Sequence, residues 1–389
     1  MRRFFQELKD FPKKCDWVLL LLCLVTAAFG LVVIASATSA AKFEGNARYI
    51  IIQMACILVG VGAFAVMSSI DIEFMSENRN WLVAFNCFLL LLLIPFGTDA
   101  GTGNRSWLDF PLLPFNVQPA EICKITYIVI MASVMNSHQN SLSKFPALPA
   151  IMHMVLHLGI LVGLNMGLSR DAGVSLIFVF IFIGMAFGGG VHLGWFALAI
   201  GGIAAAIPVI WPLLGEYQQE RILILIDPTF DAAGIGARYH SKINLLSLTG
   251  GGLTGQGLFN GTRTQGGNLF AQHTDYIFSS IGEELGFFGC VFVMILQFAI
   301  IARCIWVGMR CQDYIRRLVC YGAASALMFQ VLINVGMCIG VMPVIGLTLP
   351  FISYGGSSLL TIFAMLGLVS GAYARPASLS HERYIRPPR

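Results

Sequence analysis

Residues 271–289 read AQHTDYIFSSIGEELGFFG and run directly into CVFVMILQFAII, residues 290–301. The second piece is apolar apart from Gln297, and the uncharged stretch it belongs to is long enough to enter a lipid bilayer as a helix. The first piece carries three acids, Asp275, Glu283 and Glu284, at the doorway of that helix. A carboxylate at the edge of a membrane is costly to keep there, so each of the three needs a reason.

The rest of the chain repeats the apolar theme. It has 389 residues, 57% of them hydrophobic and only 11% charged. Soluble domains average about 25% charged residues, so this composition belongs to an integral membrane protein. The net charge of +4 is small, and the excess Lys and Arg sit at the chain ends and in short loops. That is a topology signal and gives no footing for nucleic acid. The ten cysteines form no C-x-x-C pair and mostly fall in apolar runs, where a thiol behaves as a small hydrophobe. They suggest neither a disulfide framework nor a metal site.

Apolar runs of bilayer length predict an all-α, polytopic protein with ten transmembrane helices. The runs are 17–37, 48–69, 80–97, 118–136, 147–167, 172–189, 193–214, 281–308, 318–342 and 349–373. The N-terminal MRRFFQELKDFPKKCDW mixes basic and aromatic residues and reads as an interfacial lead into the first span. ASA at 35–37 resembles a signal-peptide cleavage site, but the preceding apolar run is too long for a typical signal, so an uncut span is expected. Ten spans put both termini on one side. With that side cytoplasmic, the inner pieces hold Arg2, Arg3, Lys9, Lys13, Lys14, Arg79, Lys144, Arg310, Arg316, Arg317, Arg375, Arg383, Arg386 and Arg389. The short outer loops hold only Lys42, Arg48, Arg105 and Arg170, as the positive-inside rule requires. Residues 215–280 then form one large external loop, too rich in charge (Glu216, Glu220, Arg221, Asp227, Asp231, Arg238, Lys242, Arg263) to be a span. The chain is read as a single membrane domain, 1–375, with a disordered cytoplasmic tail at 376–389.

Several stretches at the outer side can carry chemistry. In NVQPAEICK, 116–124, Pro119 suits the first turn of a helix, which places Glu121 near the positive end of the helix dipole. Glu121 and Lys124 share a face and can pair. The pair either pins the helix end, or Lys124 joins Arg105 of GTGNRSWLDF, 101–110, in offering charge to an anionic lipid headgroup. Asp171 of SRDAG, 169–173, is placed to cap a helix or to line an external cavity. TGGGLTGQGLFNGTRTQ, 249–265, contains a formal G-x-G-x-x-G, but with no βαβ unit around it the glycines serve tight turns and close packing of loop on helix. His273 and Asp275 precede the eighth span beside Tyr276 and Phe278. A partly buried carboxylate there can hold a raised pKa and act as a base. Glu283 and Glu284 are expected to be structural or to shape a cavity. GVMPVIGLTLPFISYGGSSLL, 340–360, is broken by Pro343, Gly346, Pro350, Gly355 and Gly356, followed by Ser357 and Ser358. Such breaks are tolerated at membrane depth where they pack against protein or line a cavity.

Together these motifs resemble the SEDS family of bacterial cell-wall proteins, which includes RodA, FtsW and SpoVE. The resemblance spans roughly 17 to 375 and rests on QPAEICK, DAG at 171–173, HTDYIFSSIGEELGFFG and LPFISYGGSS. KKCDW at the first span looks more like RodA than FtsW. Two places depart from the family pattern. Ser106, not Arg, stands before Trp107, with Arg105 one position earlier, and Ala120 replaces the usual Ser. The resemblance implies a multi-pass peptidoglycan glycosyltransferase of the bacterial cytoplasmic membrane. Its substrate would be lipid II, a disaccharide-pentapeptide on undecaprenyl diphosphate, and its partner a class B penicillin-binding protein. Asp275 matches the position of the family's essential acid. An α-linked diphosphate replaced by a β bond suggests one inverting displacement, with Asp275 as base. Arg105, Lys124, His273 and Ser357 are then the candidates for substrate binding. Glu121, Asp171, Glu283 and Glu284 are candidates for structure or cavity wall. The resemblance fixes no cofactor, and a need for a divalent cation is left open. Two rival functions fit the same spans: a lipid II transporter, and a non-catalytic scaffold for the penicillin-binding protein.

Overall fold

The apolar runs form the helices that their length and composition dictate. The computed structural model describes residues 2–40, 46–99, 105–110, 115–213 and 239–375, with positions 219 and 223 between. Met1, Lys42, residues 101–104, the loop charges Glu216, Glu220, Arg221, Asp227, Asp231 and Arg238, and the tail 376–389 lie outside the described residues.

Eight described helices are long and apolar enough to cross a membrane. They are α1 (Trp17–Ala37), α2 (Asn46–Ser69), α3 (Arg79–Phe96), α4 (Pro119–Ser137), α5 (Leu148–Leu168), α8 (Ile277–Arg310), α9 (Tyr314–Cys338) and α10 (Gly356–Ala374). Two shorter apolar helices, α6 (Ala172–Gly188) and α7 (Leu193–Ile210), stand where the other two spans were expected. The protein is a polytopic membrane protein. Burial separates centre from rim: 83% of the apolar window of α4 is enclosed by protein, against 17% for α3 and α5. Rim helices turn large apolar side chains outward, among them Leu21, Leu58, Phe88, Leu156 and Ile295, as a hydrocarbon solvent permits. Glycines bring α10 against α2. A Cβ at Gly367 would lie 2.5 Å from the Phe64 carbonyl oxygen, so only hydrogen fits there.

Two breaks shape one end of the bundle. The first lies in α8, which starts at Ile277, earlier than the expected 281, and leaves helical geometry at Gly286 (φ 67°, ψ −163°). The backbone groups freed by the break are taken up by the glycine loop. Phe287 N–H donates to Gly252 O (2.9 Å), and Gln256 and Gly257 N–H donate to Glu283 O (3.0 Å) and Glu284 O (2.9 Å). The loop can come this close because it is glycine: a Cβ at Gly251 would sit 1.9 Å from the Gly282 carbonyl oxygen.

The second break corrects the tenth span. The expected start at 349 is too early, for α10 begins at Gly356, and residues 341–355 form an irregular re-entrant segment. Its apolar composition imitates a helix, but Pro343 and Pro350 each lack a donor and clash with a preceding turn. Buried amides from three helices bond its backbone instead. Gln297 of α8 donates to Pro350 O (2.6 Å) and Asn334 of α9 to Leu347 O (2.7 Å). Gln53 of α2 donates to Ser353 O (3.3 Å) and accepts from Gly355 N–H (3.4 Å). Gln297 lies past the middle of α8, so the re-entrant segment dips deep into the bundle.

Candidate functional site

Asp275 sits two residues before α8 and is half-buried. The segment carrying it is sewn to the re-entrant segment at the two residues that precede it. Tyr354 N–H donates to His273 O (2.8 Å), and Ser353 Oγ donates to Thr274 O (2.6 Å). Asn334 Nδ2 donates to Asp275 O itself (2.8 Å). The carboxylate lies against Gly346, where a Cβ would come within 3.3 Å of Oδ2 and where φ is +76°. The backbone therefore favours glycine at 346, and a Cβ there would crowd the carboxylate. Withdrawal from water raises the Asp275 carboxyl to about 6, and the Asp171 charge adds to the rise.

Asp171 stands at the start of α6, whose first turn packs at Gly173 against Ile345 and Leu347 of the re-entrant segment. It caps α6 by accepting Val174 N–H (3.1 Å), and its other oxygen accepts from Gln118 Nε2 (2.8 Å). Burial raises its pKa above the usual carboxylate range, and the Glu121 charge adds to this. Gln118 in turn donates its backbone N–H to Ser357 Oγ (3.2 Å), so Ser357 is turned toward the start of α4. One turn further on, Glu121 and Lys124 are both buried and meet at 2.8 Å, with Thr361 Oγ1 donating to Glu121 (3.0 Å). Lys124 spends its charge on Glu121 in this arrangement.

The other acids of the opening stretch face elsewhere. Glu283 accepts the backbone N–H groups of Arg263 and Thr264 (both 2.9 Å) and the Thr264 hydroxyl (2.7 Å). Glu284 accepts from Ser36 Oγ (2.5 Å) and Gln265 Nε2 (2.7 Å). Both fasten the short Thr262–Gln265 helix over the first turns of α8. His273 packs its ring against Tyr49 and Tyr354, at 5.3 and 5.7 Å between centroids. The structure thus groups Asp275 with Asp171, Gln118 and Gly346, and keeps Glu283 and Glu284 in a separate, fully bonded cluster.

The family model of the cell cycle proteins FtsW, RodA and SpoVE matches residues 16–375. The chain belongs to this family. Among curated SEDS relatives, the peptidoglycan glycosyltransferase MrdB of Escherichia coli K12 is 31% identical over 76% of this chain and 77% of its own. A probable peptidoglycan glycosyltransferase FtsW of Trichlorobacter lovleyi is 33% identical over 91% and 92%. Among solved structures, a chain from a peptidoglycan synthase complex that coordinates polymerization and crosslinking superposes with TM-score 0.75, at 29% identity over 96% of this chain and 99% of that one. The rod shape determining protein RodA of Thermus thermophilus superposes with TM-score 0.66, at 26% identity over 92% and 96%.

In this SEDS chain Arg105 is exposed, next to a buried Ser106 whose hydroxyl reaches Ser169 O at 3.5 Å. That contact ties the α3–α4 connection to the turn carrying Asp171. Among the described residues no three His, Cys, Asp or Glu side chains converge as a metal site. Asp171 and Asp275 alone are too few to hold a divalent cation without oxygens from a substrate. The residues that sequence reasoning missed are the amides Gln53, Gln118, Gln297 and Asn334. The available signal was a polar side chain inside an apolar run, which is rare in lipid and needs a partner.

Proposed function

We propose that the site polymerises lipid II on the outer face of the cytoplasmic membrane, with Asp275 as general base. The chain is a peptidoglycan glycosyltransferase of the SEDS family. The observation that carries the base assignment is the position of Asp275. It is a half-buried carboxylate at the mouth of the bundle, with no cation paired to it among the described residues, pressed on Gly346 and raised to about 6. Such a group is ionised at neutral pH yet holds a proton better than an ordinary carboxylate, which suits proton abstraction.

In the reaction, the acceptor sugar hydroxyl gives its proton to an Asp275 oxygen. Its own oxygen bonds to the donor's anomeric carbon from the face opposite the diphosphate. The bond from that carbon to the diphosphate breaks, and undecaprenyl diphosphate leaves with the electron pair. Arg105, exposed at the same end, can offer its charge to the diphosphate, whereas Lys124 is held by Glu121. The deep re-entrant segment and its amide supports give the lipid-linked substrate a polar wall within a membrane protein.

The basic residues near the other end of the bundle support cytoplasmic termini, which puts Asp275 outside, where the sugars are. The likeness to a chain of a synthase complex supports a class B penicillin-binding protein as partner. The test is glycan-strand analysis by gel, using labelled lipid II with purified wild type and Asp275→Asn. Wild type should make strands, and the variant should be slowed about 10²-fold or more. Wild-type polymerisation should also fall as pH is lowered through about 6. No strands from wild type would favour a transporter, and strands from the variant at the wild-type rate would remove Asp275 as base.

A further inference from the structure

The carboxylate of a general base must meet its substrate at a fixed distance and angle, and Asp275 lies on a turn that has no helix to hold it. Tyr354 N–H and Ser353 Oγ hold the preceding residues at His273 O and Thr274 O, and one side chain ties Asp275 itself to the opposing wall. Asn334, four residues before the end of α9, is fully buried and donates both Nδ2 hydrogens, to Asp275 O (2.8 Å) and Leu347 O (2.7 Å). Its orientation is set by chemistry, because a flipped amide would press its oxygen against two carbonyl oxygens. Among the described residues Asn334 Oδ1 has no partner, so the side chain keeps an unsatisfied buried acceptor in order to supply two donors. Leu347 follows Gly346, the residue against which the Asp275 carboxylate rests. The two carbonyls that Asn334 joins therefore belong to the turn carrying the acid and to the segment forming its seat.

Resting on the base assignment above, we propose that Asn334 is a positioning residue for glycosyl transfer: its amide clamps the Asp275 turn to the Gly346–Leu347 wall and so sets the carboxylate against the reacting hydroxyl. Asn334 touches no substrate and acts only through Asp275. Without the clamp two carbonyls lose their donor, the turn parts from the wall, and water reaches the carboxylate. Of the titratable groups around Asp275, Asp171 acts on it electrostatically, Cys338 on α9 lies near enough to feel its charge, and His273 shares its turn. None of these is altered by a change at 334.

The test compares full-length wild type, Asn334→Leu, Asn334→Ser and Asp275→Asn. Asn334→Leu removes both donors at similar volume. Its polymerisation rate at neutral pH should fall about 10²-fold, the scale of a 1 Å misplacement. Its lipid II binding should stay near wild type. Its acid limb should also move down from about 6 toward the ordinary carboxylate value of about 4. A residue that merely supported the fold would lower the rate equally at every pH and leave the limb in place. If Asn334→Leu does not yield folded protein, Asn334→Ser, which keeps one hydroxyl donor, should show a smaller loss with the limb moved the same way. An unmoved limb in the folded variant overturns the proposal. Asp275→Asn separates the two readings. If it polymerises normally, the base assignment fails; if it is inactive while Asn334→Leu matches wild type in rate and pH profile, only the role of Asn334 fails.

Discussion

The two ends of the helix bundle handle charge in opposite ways. At the end away from the site, acids are matched with bases. Asp16 takes a two-pronged contact from Arg303 (3.0 and 2.9 Å), and Arg303 lies over the ring of Trp306. Arg316, fully buried, reaches Glu73 (3.3 Å), Asp71 (3.8 Å) and the Arg375 carbonyl. At the site end, Asp171 and Asp275 have no such partner among the described residues, and the irregular backbone is held by neutral amides and hydroxyls. Paired charges hold an end shut and electrically quiet. Neutral donors hold a backbone in place while leaving a carboxylate hungry for a proton. The comparison predicts that stability and activity can be damaged separately.

The largest effect should come from breaking the matched end. Asp16 is buried, caps α1 through Leu19 N–H (3.1 Å), and is the carboxylate partner of an Arg303 that is only 17% exposed. Asp16→Ala leaves that guanidinium unpaired, which costs about 3–5 kcal/mol for a buried pair. Thermal unfolding in detergent should show a clear drop in midpoint. The polymerisation rate per folded molecule should stay near wild type, and a loss of rate with unchanged stability would erase the distinction between the ends.

Asp275→Asn is the mirror experiment. The folded protein binds the Asp275 proton more tightly than the unfolded chain does, since burial lifts its pKa to about 6 from an ordinary value of about 4. Its contribution to stability is therefore best below pH 4, worsens as pH rises to about 6, and stays unfavourable above. A neutral Asn at 275 removes that penalty. Asp275→Asn should unfold no earlier than wild type at pH 7.5, while its polymerisation falls about 10²-fold or more. A variant that loses both together would make Asp275 structural.

The Glu121–Lys124 pair lies at the site end but is built like the other one. Glu121→Gln keeps an acceptor for Thr361 and leaves Lys124 buried without a counter-charge. We expect a loss on the same scale, about 3–5 kcal/mol, read as a lower unfolding midpoint and reduced membrane yield with activity falling in step. Normal folding and lipid II binding with no turnover would instead give the pair a direct part in the chemistry.

Much of this contrast was legible in the residues, and the illegible part has a physical reason. Apolar runs of bilayer length mark helices because lipid offers no other partner for the backbone, so the spans fell close to their places. Pro119 and Asp171 start α4 and α6 where short-range capping chemistry puts them. The Pro and Gly residues of 340–360 mark a break, but LPFIS at 349–353 is as apolar as a helix and falls inside the expected tenth span. What holds the segment open comes from Gln53, Gln297 and Asn334, far away in the chain. The break at Gly286 was hidden for the same reason, since the loop that accepts its freed groups lies some thirty residues upstream. KKCDW leans toward RodA rather than FtsW, yet the partner of its Asp16 is 287 residues away. Local signals can be read in one dimension, whereas the pairing of two distant polar groups needs the fold.

The smallest effect we predict lies where the site end depends on hydrogen bonds to a fully buried acid. Glu283 accepts three donors from Arg263 and Thr264, while the Arg263 guanidinium stands off at 3.8 Å and is 34% exposed, so charge pairing adds little. Glu283→Gln keeps one oxygen and turns an NH₂ toward donors that need an acceptor. One buried N–H or O–H is then left unmatched, at about 1–3 kcal/mol, and the loss falls on the lid over α8 rather than on the bundle. Hydrogen exchange at the Arg263 and Thr264 amides should speed up about tenfold, the equivalent of about 1.4 kcal/mol. The global unfolding midpoint should barely move, and polymerisation should fall less than in any variant of Asp275. If exchange at these amides is unchanged, the Glu283 cluster does not hold the lid. If instead Glu283→Gln abolishes polymerisation with the lid intact, a second carboxylate of the opening stretch belongs to the reaction, and the separation drawn between Asp275 and its neighbours is wrong.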